Sequence, residues 1–327
     1  MNRRPDLTVL MFHGVTTRMP PYAVFSGGRT CLMRIRDFEH VVGWCKRHRR
    51  VLRLTEMSDY LAESNPEPAV LLTFDDGLAS LTDLAVPILR RHGLSALVFV
   101  TTGWIDRAAT PWVFRLEREM WEEQPRSVTI DLGPGRQLSV AVGTRSRCAE
   151  AMAQIWAGLF SARVAPLSLS QDQIAFDGRA WSPNEDWQDR EFWFPASWSA
   201  LRQAAAEGVL EIGAHGATHT PWPWLSPAER RAELTGARER LEAEFGRIVD
   251  SCSYPHGIRG ALTDVETERA YRWAFTNEPS SVTPESRPNA LPRVHVPGER
   301  PVTMNTILRF KLAGRVLRKL AVLAGYA

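Results

Sequence analysis

The sequence predicts an α/β fold, a distorted (β/α) barrel of about seven parallel strands that carries an inserted hairpin and helix. Three observations favour this class. Short apolar runs of β character alternate with segments of helical periodicity, polar side chains directly follow several of these runs, and 327 residues give room for one elaborated barrel. The predicted strands are Leu7–Phe12, Val51–Leu54, Ala69–Phe74, Ala96–Val100, Leu210–Ile212, Cys252–Tyr254, Trp273–Thr276 and Arg293–Val296.

Helical segments lie between most of the predicted strands, and such crossovers make neighbouring strands parallel. The segments are Arg36–Arg47, Glu56–Ser64, Ala79–His92, Ser197–Gly208 and Pro227–Gly246. The clearest helix start is Ser226, an N-cap residue followed by a proline and, three positions later, by Glu229. Because the carboxyl ends of barrel strands carry the chemistry, we expect a site built from the polar residues that follow strands.

The alternation fails between residues 104 and 195. Ser127–Leu132 and Arg136–Val142 flank a Gly-Pro-Gly turn and predict a hairpin, and a helix from Arg145 to Ala162 follows. We therefore predict a barrel over residues 1–303, interrupted by an insertion over about 104–195. The insertion either shapes a substrate site over the barrel mouth or packs as a small subdomain, and the sequence leaves both open.

The composition excludes several classes of protein. The formal net charge is +3 with 24% charged residues, so no strong positive field favours nucleic acid. The four cysteines show no Cys-x-x-Cys spacing, which argues against a structural zinc cluster and favours reduced thiols. The apolar run near the N-terminus is too short for a secretory signal core, and no stretch approaches the roughly 20 apolar residues of a membrane span. We therefore expect a cytoplasmic protein.

Two polar clusters follow predicted strands and predict a metal site. Asp75 and Asp76 end the run Ala69–Phe74, and two adjacent carboxylates repel unless a cation or a proton lies between them. His215 and His219 follow the run that begins at Leu210. One carboxylate and two imidazoles make an open site for a divalent ion, while the second carboxylate is left as a base. This is hydrolase chemistry.

The same residues carry a family resemblance. The motif Thr-Phe-Asp-Asp-Gly at residues 73–77, followed by a His-x-x-x-His segment, resembles the polysaccharide deacetylases, the NodB-homology group of carbohydrate esterase family 4. The resemblance implies that Asp75 is the catalytic base and that Asp76, His215 and His219 bind the metal. The expected ion is zinc, although other first-row divalent ions suit the same ligands.

The general acid has two candidates. Many family members place an acid histidine in a Leu-x-His motif near the C-terminus, where this chain has His295 with the wrong spacing. Another branch of the family uses a histidine after the first strand, where this chain has His13. We favour His13 over His295 as the acid that protonates the departing amine.

A third motif, Ser-Tyr-Pro-His-Gly at residues 253–257, resembles the family segment whose backbone N–H holds the oxyanion, so we expect Tyr254 and His256 near the substrate. The arginine that usually begins this motif is Ser253 here. Arg293, at the start of the last predicted strand, is our candidate to supply the missing cation beside Asp75. A further departure is Gly216, which replaces a hydroxyl residue beside the first ligand histidine and predicts weaker metal binding.

Two other features point to contacts outside the catalytic centre. Trp222 and Trp224 lie shortly after His219, and indole faces stack on sugar rings, although most tryptophans belong to the core. The C-terminal segment 304–327 predicts a basic amphipathic helix. Such a helix either rests on an anionic membrane surface or packs its apolar face on the barrel.

These observations predict a metal-dependent amide hydrolase that removes an N-acetyl or other N-acyl group from a sugar. We expect the chain to stay in the cytoplasm, at the inner face of the membrane if the C-terminal helix binds there. The expected substrate is therefore a nucleotide-linked or lipid-linked intermediate of surface-polysaccharide biosynthesis. Three alternatives stay open: a cyclic-amide (ureide-type) hydrolase on the same fold, a non-catalytic sugar-binding relative, and a membrane-recruited scaffold.

Overall fold

The computed structural model describes residues 4–22, 31–107, 112–164, 169, 171–182, 192–296 and 298. The strands in these ranges are β1 (Leu7–Phe12), β2 (Gly14–Thr16), β3 (Leu32–Arg34), β4 (Arg50–Leu52), β5 (Ala69–Phe74), β6 (Ala96–Val100), β7 (Ser127–Asp131), β8 (Gln137–Ala141), β9 (Ile174–Phe176), β10 (Arg179–Ala180), β11 (Leu210–Ala214), β12 (Ser251–Ser253), β13 (Trp273–Phe275) and β14 (Val294–His295).

The α-helices alternate with the strands of the main sheet. They are α1 (Ile35–His48), α2 (Met57–Ala62), α3 (Val86–His92), α4 (Thr102–Arg107), α5 (Trp112–Glu123), α6 (Cys148–Ser161), α7 (Trp198–Ala206), α8 (Pro227–Arg231), α9 (Ala237–Phe245) and α10 (Ala261–Ala270). Within the described ranges, no helix has the length and apolar character needed to cross a bilayer.

The main sheet is parallel and curls into a barrel. Its order is β13-β12-β11-β6-β5-β1-β14. β4 and β6 share one edge of β5: β4 pairs with its first residues, Ala69 to Leu71, and β6 pairs with its last two, Thr73 and Phe74. The two end strands approach each other, because Leu291, shortly before β14, forms a parallel bridge with Phe275 of β13. The predicted distorted (β/α) barrel is confirmed.

Side chains alternate between the barrel interior and the helix layer. Leu7 and Val9 belong to the interior cluster, whereas Leu10 and Phe12 on the same strand belong to the cluster that packs against the helices. On β5 the interior positions are Ala69, Leu71 and Thr73, and the next residue in this register is Asp75. The strand period therefore aims Asp75 into the mouth of the barrel.

The predicted inserted hairpin and helix are present. β7 and β8 form the hairpin and continue into a four-stranded antiparallel sheet of order β10-β9-β7-β8. Apolar side chains of this sheet, α5 and α6 form a separate buried cluster that includes Val128, Ile130 and Met152. The domain boundaries at 104, 195 and 303 stay predictions, and the segment 304–327 lies outside the described residues.

The predicted helix Pro227–Gly246 forms as α8 and α9, joined by a π turn at Ala232–Gly236. Ser226 caps its start: the Ser226 hydroxyl accepts the N–H of Glu229, whose carboxylate accepts the N–H of Ser226. Glu233 lies in this π-helical segment, which places its buried carboxylate against the loop after β11.

Candidate active site

Two strand ends deliver the carboxylates and imidazoles to one place. Asp75 and Asp76 follow β5, and His215 follows β11. The turn after β5 is tight, because Asp76 has a φ of 73° and Gly77 a φ of 79°. His219 also has a positive φ, 61°. Such left-handed backbone is costly for residues other than glycine, and it concentrates at functional sites.

Asp76, His215 and His219 converge, and their donor atoms all lie within 4.8 Å of one another. Asp76 Oδ1 is 3.4 Å from His219 Nε2 and 3.7 Å from His215 Nε2. Asp76 is 4% exposed, and its Oδ1 has no hydrogen-bond partner among the described residues. Burial, reinforced by the charge of Asp75, raises the pKa of Asp76 well above its ordinary value. A cation at this point would compensate the buried carboxylate.

The two imidazoles are in the form that binds metal. Burial lowers the pKa of His215 and of His219, so both rings are neutral at pH 7. His215 Nδ1 lies 2.8 Å from the carbonyl of Ser253, which can only accept, so Nδ1 carries the hydrogen and Nε2 keeps its lone pair toward Asp76. One carboxylate and two neutral imidazoles with an orphaned oxygen fit a divalent ion.

Arg293 lies against Asp75. Its guanidinium donates to both carboxylate oxygens, at 2.6 and 2.8 Å, and Arg293 is fully buried. Further hydrogen bonds run to Ser253 Oγ, 2.7 Å, and Asn277 Oδ1, 3.0 Å. Ser253, at the position where the family usually has an arginine, thus accepts a hydrogen bond from Arg293, which lies immediately before β14.

The charge of Arg293 sets the state of Asp75. Burial by itself would raise the pKa of Asp75, but the guanidinium of Arg293, with a contribution from His215, outweighs burial and holds this pKa well below its usual range. Asp75 is therefore ionised at neutral pH, whereas no arginine or lysine of the described residues forms an ion pair with Asp76. The two neighbouring carboxylates differ in environment, as a base and a metal ligand require.

Gly216 is accompanied by a buried acid that the sequence did not reveal. The carboxylate of Glu233 accepts the N–H of Ala217 at 2.7 Å, and the N–H and hydroxyl of Thr218 at 3.1 and 2.6 Å. A Cβ added to Gly216, whose φ is 76°, would lie 2.4 Å from Glu233 Oε2. Glycine at this position thus makes room for a carboxylate that holds the loop between the two histidines.

The two candidate acids lie side by side. The rings of His13 and His295 have centroids 5.9 Å apart, because His13 follows β1 and His295 ends the adjacent β14. Burial lowers the pKa of His13 to about 3, against the smaller opposing effect of Asp75, so His13 is neutral at pH 7.

The third motif divides into a buried part and a part at the mouth. Tyr254 is buried, its N–H donates to the Phe275 carbonyl at 3.1 Å and its hydroxyl to the Asn289 carbonyl at 2.9 Å. The structure therefore does not offer Tyr254 to a substrate. His256 is half-buried, and its ring meets the His219 ring edge to face, with centroids 4.4 Å apart.

The two tryptophans differ in the same way. Trp222 is buried against Tyr254, so it belongs to the core. Trp224 is half-buried and meets Phe160 edge-on at 5.0 Å. Phe160 and Trp156, both from α6 of the insertion, also contact the His256 ring, at 5.1 and 5.9 Å. The insertion thus contributes a cluster of aromatic side chains, Phe160 and Trp156, beside His256.

The family comparison agrees with this geometry. The model of the polysaccharide deacetylase family matches residues 62–131 and 178–272, which together make up just over half of the chain. The chain belongs to the polysaccharide deacetylase family. The first matched segment contains both aspartates and the second contains both histidines. A search of curated proteins finds no match.

Solved structures of deacetylases share the fold. The deacetylase PplD from Streptococcus pyogenes, in complex with acetate, is 14% identical with a TM-score of 0.60, over 94% of this chain and 99% of that one. A de-N-acetylase from Aggregatibacter actinomycetemcomitans is 14% identical with a TM-score of 0.57, over 93% and 99%. IcaB from Ammonifex degensii is 18% identical with a TM-score of 0.51, over 95% and 97%.

Three features of this polysaccharide deacetylase family member escaped the sequence analysis. The first is Asn277, which accepts a hydrogen bond from Arg293. It lies just after β13, so it is another polar residue at the end of a strand. Glu233 looked like one more polar residue of a helix, and only its burial distinguishes it. The approach of Phe160 and Trp156 to His256 depends on how the insertion folds back, which local patterns do not encode.

Proposed function

We propose that this chain is a metal-dependent carbohydrate N-deacetylase, a hydrolase that removes an N-acetyl or other N-acyl group from a sugar. One observation carries the proposal: the buried Oδ1 of Asp76, which has no hydrogen-bond partner in the described part of the chain, lies near two neutral imidazoles, and the ionised Asp75 beside it is hydrogen-bonded to Arg293. Membership of the polysaccharide deacetylase family supports the same reaction class.

The proposed metal ligands are Asp76, His215 and His219, and zinc is the expected ion. A divalent ion bound there would supply Lewis-acid polarisation of the acyl carbonyl and would lower the pKa of water. The remaining carboxylate, Asp75, is the proposed base. Each Asp75 oxygen accepts one N–H of Arg293 and keeps a second lone pair, so Asp75 can take a proton from the attacking water while Arg293 fixes its orientation.

The departing amine needs a proton. His13 is the proposed donor, and His295 is the alternative candidate. Because His13 is neutral at pH 7, the ring has to gain a proton within the reaction cycle before it passes one to nitrogen. His13 Nδ1 is buried without a hydrogen-bond partner in the described part of the chain, so a nitrogen of this ring is uncommitted. His256 is the proposed residue of the third motif beside the oxyanion.

The proposed substrate is an N-acylated sugar from surface-polysaccharide biosynthesis, nucleotide-linked or lipid-linked. The aromatic cluster of Trp224, Phe160 and Trp156 supports a sugar, since rings of this kind stack on pyranose faces. One structural relative is described as a de-N-acetylase and another as the deacetylase domain of BpsB from Bordetella bronchiseptica. Cytoplasmic location and peripheral membrane contact through residues 304–327 remain part of this proposal.

Acetate release from N-acetylated amino-sugar oligosaccharides tests the function. The zinc-loaded wild type should release acetate and generate free amine, and Asp75→Asn should lose turnover by about 10³-fold or more while it still binds the metal. Glu239→Gln, an exposed acid of α9, is the matched control and should keep wild-type turnover. Equal turnover in Asp75→Asn and Glu239→Gln would contradict the proposal, as would the absence of acetate release from every N-acetylated sugar tested.

A further inference from the structure

We propose a second metal-binding site, formed by His13, Cys31 and His295, that takes a zinc-like divalent cation. One donor atom from each residue, a ring nitrogen or the sulfur, lies within 4.8 Å of the other two. None of these residues belongs to the set formed by Asp76 and the two histidines after β11. The described residues thus contain two groups of potential ligands, of which the group formed by His13, Cys31 and His295 includes a thiol.

Strand pairing brings the three residues together. β14 pairs with β1 in parallel, and His295 lies opposite Met11, two residues before His13. β2 and β3 are also parallel, and their first residues, Gly14 and Leu32, are partners. His13 and Cys31 directly precede these partners, so they are neighbours at the start of the strand pair. The convergence therefore follows from backbone register on three elements rather than from the rotamers of single side chains.

The donor set suits a zinc-like ion. Thiolate and imidazole are the ligands that zinc and cobalt prefer, and ligand atoms of a tetrahedral site lie about 3.3 to 3.8 Å apart, so modest side-chain rotation closes the present arrangement. His13 Nδ1 is buried and has no hydrogen-bond partner in the described ranges. All three residues are half-buried, so each keeps part of its surface exposed to solvent.

The consequence for turnover rests on the proposed function. A neutral imidazole has one lone pair, and an ion that occupies it prevents the ring from gaining a proton. If His13 carries the proton to the departing amine, an ion held by His13, Cys31 and His295 blocks that step. The second site is then inhibitory: the first equivalent of metal activates the enzyme and excess metal turns it off.

Cobalt titration of the full chain tests the site without reference to activity. Thiolate bound to Co²⁺ gives a charge-transfer absorption in the near ultraviolet that imidazole and carboxylate ligands do not give. The wild type should bind two equivalents and show this absorption, and Cys31→Ser should lose it while it keeps one equivalent. Cys45→Ala, which removes a buried thiol of the helix layer, is the matched control and should retain the absorption.

His295→Gln supplies an independent variant in case Cys31→Ser does not fold, and circular dichroism decides which variant is used. This substitution should weaken cobalt binding at the thiolate by about tenfold or more. Absence of the charge-transfer absorption in the saturated wild type would overturn the site, as would its persistence in Cys31→Ser or unchanged affinity in His295→Gln.

Acetate release separates the inhibitory role from the site itself. In the wild type it should fall about tenfold as zinc exceeds one equivalent, and in Cys31→Ser it should not fall. Equal inhibition of both proteins would overturn the inhibitory role. A wild type that binds cobalt through sulfur but releases no acetate at any zinc concentration would instead contradict the proposed function.

Discussion

Arg293→Met removes the only charge that the described residues place against both oxygens of Asp75. Arg293 is fully buried and donates to Asp75 Oδ1 and Oδ2 at 2.6 and 2.8 Å. Methionine has a similar length without charge, so the variant leaves an ionised carboxylate buried and unpaired. Breaking a buried pair in this way costs about 3 to 5 kcal/mol of the free energy of unfolding.

The loss should depend on the charge of Asp75. Urea denaturation of wild type, Arg293→Met, Asp75→Asn and the double variant gives the coupling energy, which we expect to be about 2 kcal/mol or more. Arg91→Met breaks an exposed pair with Glu39, at 2.9 Å, and as a control it should cost about 1 kcal/mol or less. A coupling energy below about 0.5 kcal/mol would refute the reasoning, because the pair would then contribute nothing beyond two independent side chains.

The same variant has a predicted pH dependence. Because the pKa of Asp75 in the folded protein lies below its unfolded value, the stabilisation from this pair is fully present at neutral pH and is lost as pH falls below about 4. Without Arg293, burial raises the pKa of Asp75. The acid limb of the activity profile should therefore move to higher pH in Arg293→Met, and an unmoved limb would exclude Asp75 as the titrating base.

Three further predictions concern the other residues of the site. Glu233→Gln should weaken zinc binding by about 10- to 100-fold in chelator competition, because its carboxylate holds the loop between the histidines, whereas Glu239→Gln should leave affinity unchanged. His13→Ala should lower kcat by about 10²- to 10⁴-fold and His295→Ala by less, and the reverse order would assign the acid role to His295. Trp224→Ala should raise KM for an oligosaccharide several-fold with little change in kcat, because the variant loses about 1 kcal/mol of stacking on the sugar. An unchanged KM would show that Trp224 does not contact the sugar.

The part of the site that follows strands could be predicted from the sequence. β5 and β11 are each followed directly by a polar residue, so Asp75, Asp76 and His215 could be assigned to one edge of a parallel sheet from the sequence alone. The period of two along β5 further explains why Asp75 enters the barrel mouth. Local alternation carries this information, and the fold preserves it.

Other contacts depend on distant parts of the chain. Arg293 and Asp75 are 218 positions apart, and placing the arginine on a strand end did not by itself give its bidentate geometry or its partners Ser253 and Asn277. The glycine at position 216 predicts weaker metal binding, and this stays a prediction. The buried carboxylate of Glu233 acts against it, because it lies beside Gly216 and holds the loop between the two histidines. Such compensation is visible only when the helix is packed against the loop.

The proposed metal site is tested most directly by anomalous diffraction at the zinc edge from crystals grown with zinc. An anomalous peak should lie about 2.0 to 2.2 Å from Asp76 Oδ1 and from the Nε2 atoms of His215 and His219. A saturated crystal with no peak among these three atoms, or with zinc bound elsewhere and these side chains in separate contacts, would contradict the proposed site.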